Sequence, residues 1–169
     1  MATVLHAGCG YAELPAWLNE YHEIRLDIDP GTDADIISSI ADLGDIGPYD
    51  AILCQHCIEH LYPNEVHKAL SEFYRVLKPD GVLILFVPDL EDAKATDEVL
   101  FESPAGPISG LDLFYGFRPA LALGMTHMAH HTGFTQNSLR AALEQAGFTG
   151  GVITRHNPFN LGAICKKGK

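Results

Sequence analysis

Residues 82–87, with the sequence VLILFV, are apolar at every position and form the longest uninterrupted apolar run in the chain. A strand that is apolar on both faces must be covered on both sides, which is typical of a parallel sheet between two layers. A helical pattern precedes this run, and its apolar face consists of Val66, Ala69, Leu70, Phe73 and Leu77. A helix followed by a buried strand predicts an α/β fold.

Short strand-like runs alternate with helical patterns along much of the chain. The other predicted strands are residues 4–7, 23–27, 36–40, 49–55, 151–155 and 161–165. Further helices are predicted over residues 14–21 and 136–146. The last two strands are joined by a short turn and must pair antiparallel. We therefore expect a mostly parallel sheet with an antiparallel hairpin at its end.

Residues 88–134, called the insert below, break this alternation. The insert contains four prolines, which are Pro88, Pro104, Pro107 and Pro119. Because a plain loop of this length is uncommon in a compact domain, we expect short helices near residues 91–100 and 111–114. Its apolar side chains indicate a pocket wall, a homodimer contact or simple packing on the sheet; they are Phe114, Tyr115, Phe117 and Met125.

The formal net charge is −11, from 11 Lys and Arg against 22 Asp and Glu. Binding to nucleic acid or to an anionic membrane surface requires clustered cations, so neither is an expected partner. No apolar run approaches the roughly 20 residues that cross a bilayer, and the N-terminus lacks the features of a secretory signal. The four cysteines suggest no disulfide framework, which favours a reduced, cytoplasmic setting.

The first strand is followed by Gly8-Cys9-Gly10, and we expect a helix to open behind this turn. Glycine lets a backbone approach a ligand closely, and a helix N-terminus presents unpaired N–H groups. Asp27 ends the second strand, where a carboxylate can accept hydrogen bonds from both hydroxyls of an adenosine ribose. Simpler explanations exist, because many tight turns use glycine and Asp27 could be a solvated turn residue.

Glu13 helps to distinguish two adenosine cofactors. The nicotinamide dinucleotide fingerprint has its third glycine at this position, and a carboxylate there would face the pyrophosphate. S-adenosylmethionine (SAM) has no phosphate. Glu13 therefore argues against an NAD-dependent oxidoreductase and is compatible with SAM.

Five stretches in this order resemble the class I SAM-dependent methyltransferases, in particular a small type with an E-H-L segment after the fourth strand. They are VLHAGCG (4–10), RLDIDP (25–30), YDAILCQHCIEHL (49–61), FYRVLKPDGVLILFVPD (73–89) and TGFTQNSLRAALEQAGF (132–148). With the strand count, the resemblance implies a doubly wound, mostly parallel, seven-stranded Rossmann-like sheet with an antiparallel C-terminal hairpin. It also implies a single SAM-binding domain over residues 1–169, with the insert as substrate site or lid.

The resemblance implies roles for residues at the ends of the first two strands. Ala7, Gly8 and Gly10 would hold the methionine part of SAM through their backbone. Asp27 would bind the ribose hydroxyls, and Ile28 would lie against the adenine.

Further along, the resemblance implies that the segment containing Ser39, Ile40 and Asp42 edges the adenine. The family often has an acid there, and both Ser39 and Asp42 could match that position. Cys54 and Gln55 end the fourth strand and would line the cofactor near its sulfonium.

Several histidines fall near this predicted site, namely His56, His60, His127, His130 and His131. Histidine titrates near neutral pH, so His130 and His131 are candidate general bases if the acceptor must lose a proton. We expect no metal site, because Cys54 and Cys57 straddle a strand end and no second C-x-x-C is present. Loop and capping roles would explain the same histidines.

Together these features predict a SAM-dependent methyltransferase that acts on a small-molecule or other non-nucleic-acid acceptor. The sulfonium is already activated, so the protein mainly aligns the two reactants and excludes water. A non-catalytic member that binds SAM or a partner protein is the alternative. It is kept open by His6, where the family commonly has an acid, and by Ala12, where it has a third glycine.

Overall fold

The computed structural model describes residues 1–168, and Lys169 lies outside the described part. These residues contain nine strands: β1 (Thr3–Ala7), β2 (His22–Asp27), β3 (Ile36–Ile37), β4 (Tyr49–Gln55), β5 (Leu77–Pro88), β6 (Val99–Ser103), β7 (Gly106–Ser109), β8 (Thr149–His156) and β9 (Asn160–Lys166). Seven form one sheet in the order β3-β2-β1-β4-β5-β9-β8. Neighbours from β3 to β5 are parallel, whereas β9 is antiparallel to β5 and β8. The predicted sheet is therefore confirmed.

Four α-helices accompany the strands: α1 (Pro63–Val76), α2 (Gly110–Tyr115), α3 (Arg118–Ala122) and α4 (Gln136–Gln145). Proline suits the first position of α1 because its missing N–H would have no partner within the helix. The longer helices, α1 and α4, bury their apolar stripes in the main core on one face of the sheet. No helix within residues 1–168 is both long and apolar enough to cross a membrane.

The connection between β1 and β2 covers the face of the sheet opposite to α1 and α4. The prediction of a helix over residues 14–21 of this connection is wrong. Only Ala16–Leu18 form a helical turn, of the 3-10 type. Pro15 has no N–H to donate, and the chain continues in tight turns in which Leu18 donates to Pro15 and Tyr21 donates to Leu18. Because α1 crosses on the opposite face between β4 and β5, the sheet is doubly wound as predicted.

Two strands differ from the prediction by more than two residues at one end. β5 begins at Leu77 rather than at residue 82, because its residues 78–81 bulge out opposite Asp50 before regular pairing with β4 resumes. β3 stops at Ile37, because the Ser38 hydroxyl donates to the main-chain oxygen of Asp42 at 2.7 Å and closes a turn there.

The insert differs from the prediction in its first half. No helix forms over residues 91–100, and the chain instead leads into a separate hairpin of β6 and β7. Asp89 Oδ1 accepts a hydrogen bond from the Glu91 N–H at 3.0 Å, and the Thr96 hydroxyl also accepts from a main-chain N–H. Such side-chain bonds compete with a helix for the backbone donors. The short helix predicted at residues 111–114 is confirmed by α2.

Candidate functional site

The turn after β1 packs closely against the segment that follows β4. Gly8 has φ +67° and Gly10 has φ +49°. A Cβ on Gly8 would lie 2.2 Å from Cys57 Sγ, whereas a Cβ on Gly10 would meet nothing within 4 Å. A side chain at position 8 is therefore excluded by the backbone and by Cys57, while the space beside Gly10 is open. The helix expected behind the turn is absent, so its N-terminus cannot supply donors here.

Asp27, at the end of β2, is bound to this turn. Its Oδ2 accepts a hydrogen bond from Gly10 N–H at 2.7 Å, and its Oδ1 accepts one from Asp29 N–H at 2.9 Å. Arg25 fixes the turn from another side by donating to the main-chain oxygens of Gly10 and Ala12, at 2.9 and 2.8 Å. A carboxylate has about four lone-pair sites, so Asp27 can still accept hydrogen bonds from a ligand.

The residues predicted around the adenine differ in accessibility. Ile28 is 62% exposed directly after β2, so its side chain is available to a ligand. Ser39 is half-buried, and its hydroxyl accepts a hydrogen bond from a main-chain N–H. Ile40 packs in the main core, which limits any cofactor contact to its main chain. Asp42 is exposed and lines a separate groove beside α1.

β4 ends beside β1, with Cys54 in register with Ala7, and both side chains are fully buried in the main core. Any contact of Cys54 with a cofactor is therefore limited to its main chain, and its expected position beside the cofactor remains a prediction. A hydrogen bond with Cys57 and burial hold the pKa of the Cys54 thiol well above its usual value. Gln55 follows at the half-buried strand end, where residues of β1 and β4 meet.

His6, which stands where the resemblance leads one to expect an acid, is only 1% exposed. Its Nδ1 lies 2.7 Å from Glu23 Oε1 on the neighbouring strand β2. Arg25 also contacts this carboxylate, at 3.2 Å. A negative charge is thus held next to β1 by Glu23 although position 6 itself is a histidine.

A cavity of about 520 Å³ lies between the insert and the carboxyl ends of β4 and β5. Its apolar lining includes Pro88, Phe101, Ile108, Leu113, Phe117, Met128 and Phe159. Polar side chains enter it from His56, Glu59, His60, His130 and Asn160. A mostly apolar cavity of this size with a few polar groups is typical of small-molecule sites.

Glu59 is the most unusual polar group of this cavity. It is 1% exposed, and neither of its carboxylate oxygens has a hydrogen-bond partner within residues 1–168. His56 Nδ1 lies 3.5 Å from Oε1, and His60 and His130 are close by. Burial alone would raise the pKa of Glu59, but the three histidines more than offset this, so the pKa lies below its usual value.

His60 and His130 are held by their Nδ1 atoms. His60 Nδ1 lies 3.2 Å from the main-chain oxygen of Ala129, and His130 Nδ1 lies 2.9 Å from that of Leu113. A carbonyl oxygen can only accept, so each Nδ1 carries a hydrogen, and in the neutral ring each Nε2 then has a lone pair. Burial lowers the pKa of His130, against the opposing effect of the Glu59 carboxylate.

The two predicted bases have different surroundings. His131 is exposed and stacks on the Tyr62 ring at a centroid distance of 4.1 Å, and it does not line the cavity. Glu59 and Asn160 were not predicted as site residues. Glu59 belongs to the E-H-L segment, which was a usable signal. Asn160 enters the cavity only because β9 folds back beside β5, which no local pattern indicates.

A family model described as a methyltransferase domain matches residues 5–85, just under half of the chain. The matched segment contains the turn at Gly8, the carboxylate of Asp27 and the buried Glu59. No curated protein sequence is similar enough to this chain to count as a match.

Solved structures of low sequence identity have a similar fold. The 1,6-didemethyltoxoflavin-N1-methyltransferase of Burkholderia thailandensis, solved with 1,6-didemethyltoxoflavin and S-adenosylhomocysteine, matches with a TM-score of 0.64 and 18% identity, over 99% of this chain and 72% of that chain. A SAM-dependent methyltransferase from Archaeoglobus fulgidus matches with a TM-score of 0.65 and 18% identity, over 98% of this chain and 86% of that chain. Human N-acetylserotonin methyltransferase, solved with SAM, matches with a TM-score of 0.66 and 13% identity. The match covers 99% of this chain and 48% of the human enzyme, so this chain spans about half of that enzyme.

These similar structures support the fold. The family match covers β1 and β2 near the turn of Gly8-Cys9-Gly10, called the cofactor turn below. The sheet order, the two glycines of the turn and the carboxylate at the end of β2 agree with that match. Residues 5–85 thus match a methyltransferase domain family, and the fold of the chain is similar to those of methyltransferases solved with SAM or S-adenosylhomocysteine.

Proposed function

We propose that this chain transfers the methyl group of SAM to a small molecule bound in the cavity beneath the insert. The observation that carries the proposal is the position of the segment after β4. Its Cys57 packs against Gly8 of the cofactor turn, while His56, Glu59 and His60 of the same segment line the cavity. A donor at the turn and an acceptor in the cavity would thus contact the same few residues.

The chemistry of the cavity supports a small acceptor. Attack on the methyl carbon disperses the positive charge of the sulfonium, so an apolar wall does not oppose the reaction, provided that the reactants are aligned. Asn160 Oδ1 is buried without a hydrogen-bond partner in the described part of the chain, and a hydroxyl or amine of the acceptor would supply one. The similar structure from Burkholderia thailandensis was solved with 1,6-didemethyltoxoflavin bound, which also favours a small-molecule acceptor.

We propose the β6–β7 hairpin as the lid of this site. The hairpin supplies Phe101 and Ile108 to the cavity wall. Phe101 stacks on Phe159 between β8 and β9, with ring centroids 6.3 Å apart, so it is the contact that closes one side of the cavity. Opening of this contact would admit the acceptor and release the product.

His130 is the residue we propose to assist loss of a proton from the acceptor. It lines the cavity, its Nδ1 is occupied by the Leu113 carbonyl, and its Nε2 has a free lone pair. His131 offers a matched control, because it is the adjacent histidine and lies outside the cavity.

The first experiment is calorimetric titration of the chain with SAM, S-adenosylhomocysteine and NADH, repeated on Asp27→Ala. We expect micromolar binding of the first two ligands, no binding of NADH, and loss of binding in the variant. Binding of NADH alone would overturn the assignment of the donor.

The second experiment measures S-adenosylhomocysteine formed from SAM in the presence of phenols, amines and thiols. We expect product with at least one class, a strong decrease in His130→Asn and little change in His131→Asn. SAM binding without product from any class would favour a non-catalytic member that only binds the cofactor.

A homodimer through the insert remains a prediction. Tyr115, Leu123 and Met125 of the insert are exposed by 61%, 83% and 41%. Sedimentation of the purified chain, compared with Leu123→Glu, would detect a dimer that depends on this surface. The expected cytoplasmic location also remains a prediction.

A further inference from the structure

Among the described residues, the buried carboxylate of Glu59 has three histidines near it but no hydrogen bond to either of its oxygens. A carboxylate removed from water costs several kcal/mol unless it is hydrogen-bonded or paired. Both oxygens of Glu59 are buried without a hydrogen-bond partner. The nearest cationic candidate, His56, is half-exposed and lies 3.5 Å away, which is longer than an ordinary hydrogen bond. The carboxylate faces the cavity, so a ligand there could supply the missing partner.

Two histidines face the same point as Glu59. Potential ligand atoms of Glu59, His60 and His130 all lie within 4.8 Å of one another. Neither histidine hydrogen-bonds to the carboxylate, and the two rings meet edge to face with centroids 4.9 Å apart. Metal–ligand bonds of about 2.0–2.2 Å bring neighbouring ligand atoms to about 3–4 Å, so small side-chain rotations would close the group around an ion.

The histidines are also oriented as metal ligands are. Their Nδ1 atoms donate to the main-chain oxygens of Ala129 and Leu113, which fixes both rings and leaves the Nε2 lone pairs free. Metal-binding histidines almost always make such a second hydrogen bond, because it sets the tautomer and the ring direction. We infer that Glu59, His60 and His130 bind a divalent transition-metal ion, with the histidines coordinating through Nε2.

This inference departs from the sequence-based expectation that the chain has no metal site. That expectation considered the cysteines, and Cys54 is indeed buried in the core with its thiol hydrogen-bonded to Cys57. The proposed ligands are instead two nitrogens and one carboxylate, a set that suits ions such as Zn²⁺, Co²⁺ or Fe²⁺. Three protein ligands leave a coordination position open, as in catalytic rather than structural sites.

An ion held by Glu59, His60 and His130 would lie at the cavity that we assign to the acceptor, because all three residues line it, and this step rests on the proposed function. An acceptor hydroxyl bound to the ion would lose its proton to water more readily, because a metal ion lowers the pKa of a coordinated O–H group. The oxygen would then form a bond to the methyl carbon of SAM as the carbon–sulfur bond breaks, which leaves S-adenosylhomocysteine. With an ion bound, the Nε2 lone pair of His130 would hold the ion, and His130 would assist proton loss in this way instead of accepting the proton directly.

The test is metal binding by the full chain, after removal of bound metal with a chelator. Co²⁺ is titrated by calorimetry and by its visible absorption, and Zn²⁺ is then added as a competitor. We expect one equivalent of Co²⁺, displaced by Zn²⁺. Glu59→Gln, His60→Asn and His130→Asn should each weaken binding by about 100-fold or more, because loss of outer-shell partners alone costs about 10–100-fold. His67→Asn, which removes an exposed histidine of α1, should leave binding unchanged.

The outcomes separate this inference from the methyltransferase proposal. Far-UV circular dichroism and SAM titration of each variant show whether it is folded. Absence of stoichiometric binding in the wild-type chain would overturn the metal site, as would binding that persists in folded variants of the three ligands. Co²⁺ binding that is lost in these variants would support the site even if no acceptor is methylated, whereas SAM titration tests the donor site independently.

Discussion

The N–H of Gly10 donates a 2.7 Å hydrogen bond to Asp27 Oδ2 and thereby joins the turn after β1 to the end of β2. The second oxygen of Asp27 is held by the N–H of Asp29. Two main-chain donors therefore fix the plane of this carboxylate before any ligand binds. Preorganised acceptors bind a ligand more tightly because less ordering is left for the binding step.

Asp27→Asn should weaken SAM binding by about 10–100-fold, which corresponds to one charge-assisted hydrogen bond of about 1.5–3 kcal/mol. The amide keeps one acceptor but places an N–H₂ group against the donor of either Gly10 or Asp29. Calorimetry with S-adenosylhomocysteine measures the change. Asp33→Asn removes an exposed charge on the same side and should bind as the wild type does. Equal affinities for all three proteins would exclude Asp27 from the cofactor site.

Gly8→Ala should lower the free energy of unfolding by about 2–4 kcal/mol, from the positive φ and from overpacking against Cys57. Its Cβ would lie 2.2 Å from Cys57 Sγ and 2.7 Å from Cys57 Cβ. Adding Cys57→Ala removes only the first contact, so the double variant should recover part of the loss. Urea unfolding measures both. Gly10→Ala has free space around its Cβ, so it should lower the free energy of unfolding only through the strain of its positive φ. Equal decreases for Gly8→Ala and Gly10→Ala would contradict the packing of Gly8 against Cys57.

Asp112 should make the free energy of unfolding depend on pH in the acidic range. Burial alone would raise its pKa, but hydrogen bonds from Ser109 and Arg118 more than offset burial and lower the pKa to about 2. The unfolded value is about 3.9, so the stabilisation is complete above that pH and is lost as the pH falls from about 4 to about 2.

Asp112→Asn should therefore cost about 2 kcal/mol at pH 7 and progressively less toward pH 2. Chemical unfolding across this pH range gives the difference between variant and wild type. Asp97→Asn is the control, because Asp97 also contacts Arg118 but its side chain is 85% exposed. A difference that does not change between pH 7 and pH 3 would show that the Asp112 charge does not contribute.

The sheet could be predicted because each strand carries its own signal. Residues 82–87 are apolar on both faces, and the bounds of β4 follow from its composition alone. The helix predicted at residues 14–21 did not form: Leu14, Leu18 and Tyr21 pack on the sheet, but Trp17 of the same apolar pattern is 59% exposed. The apolar spacing indicated that this segment covers the sheet, but it did not determine the main-chain hydrogen bonds that form there.

The candidate site was only partly predictable for a related reason. Gly8 and Asp27 lie beside strand ends, where position along a strand sets position in space. The group of Glu59, His60 and His130 instead combines residues that are more than 60 positions apart in the chain. The β6–β7 hairpin lies between them in the sequence, and it was not predicted. The side chains of Asp89 and Thr96 accept hydrogen bonds from main-chain N–H groups that a helix would use, and local patterns do not include such contacts.

The segment that carries His130 is positioned by Gly116, which gives a final prediction. Gly116 has φ +92°, and a Cβ there would lie 2.1 Å from the main-chain oxygen of Met128. The neighbouring Tyr115 oxygen accepts the His130 N–H at 3.1 Å. Gly116→Ala should therefore displace residues 126–131, speed hydrogen exchange of their amides and weaken Co²⁺ binding, while SAM binding is retained.

Gly124→Ala separates displacement from simple backbone strain. Gly124 has a similar φ of +87°, but a Cβ there would meet nothing within 4 Å. This variant should lose about 1 kcal/mol of stability through its backbone alone and keep the exchange rates around His130. If both variants change hydrogen exchange and Co²⁺ binding equally, backbone strain in the insert, and not the contact with Met128, determines the position of residues 126–131. A change in Gly116→Ala alone would mean that this close approach positions His130 next to Glu59.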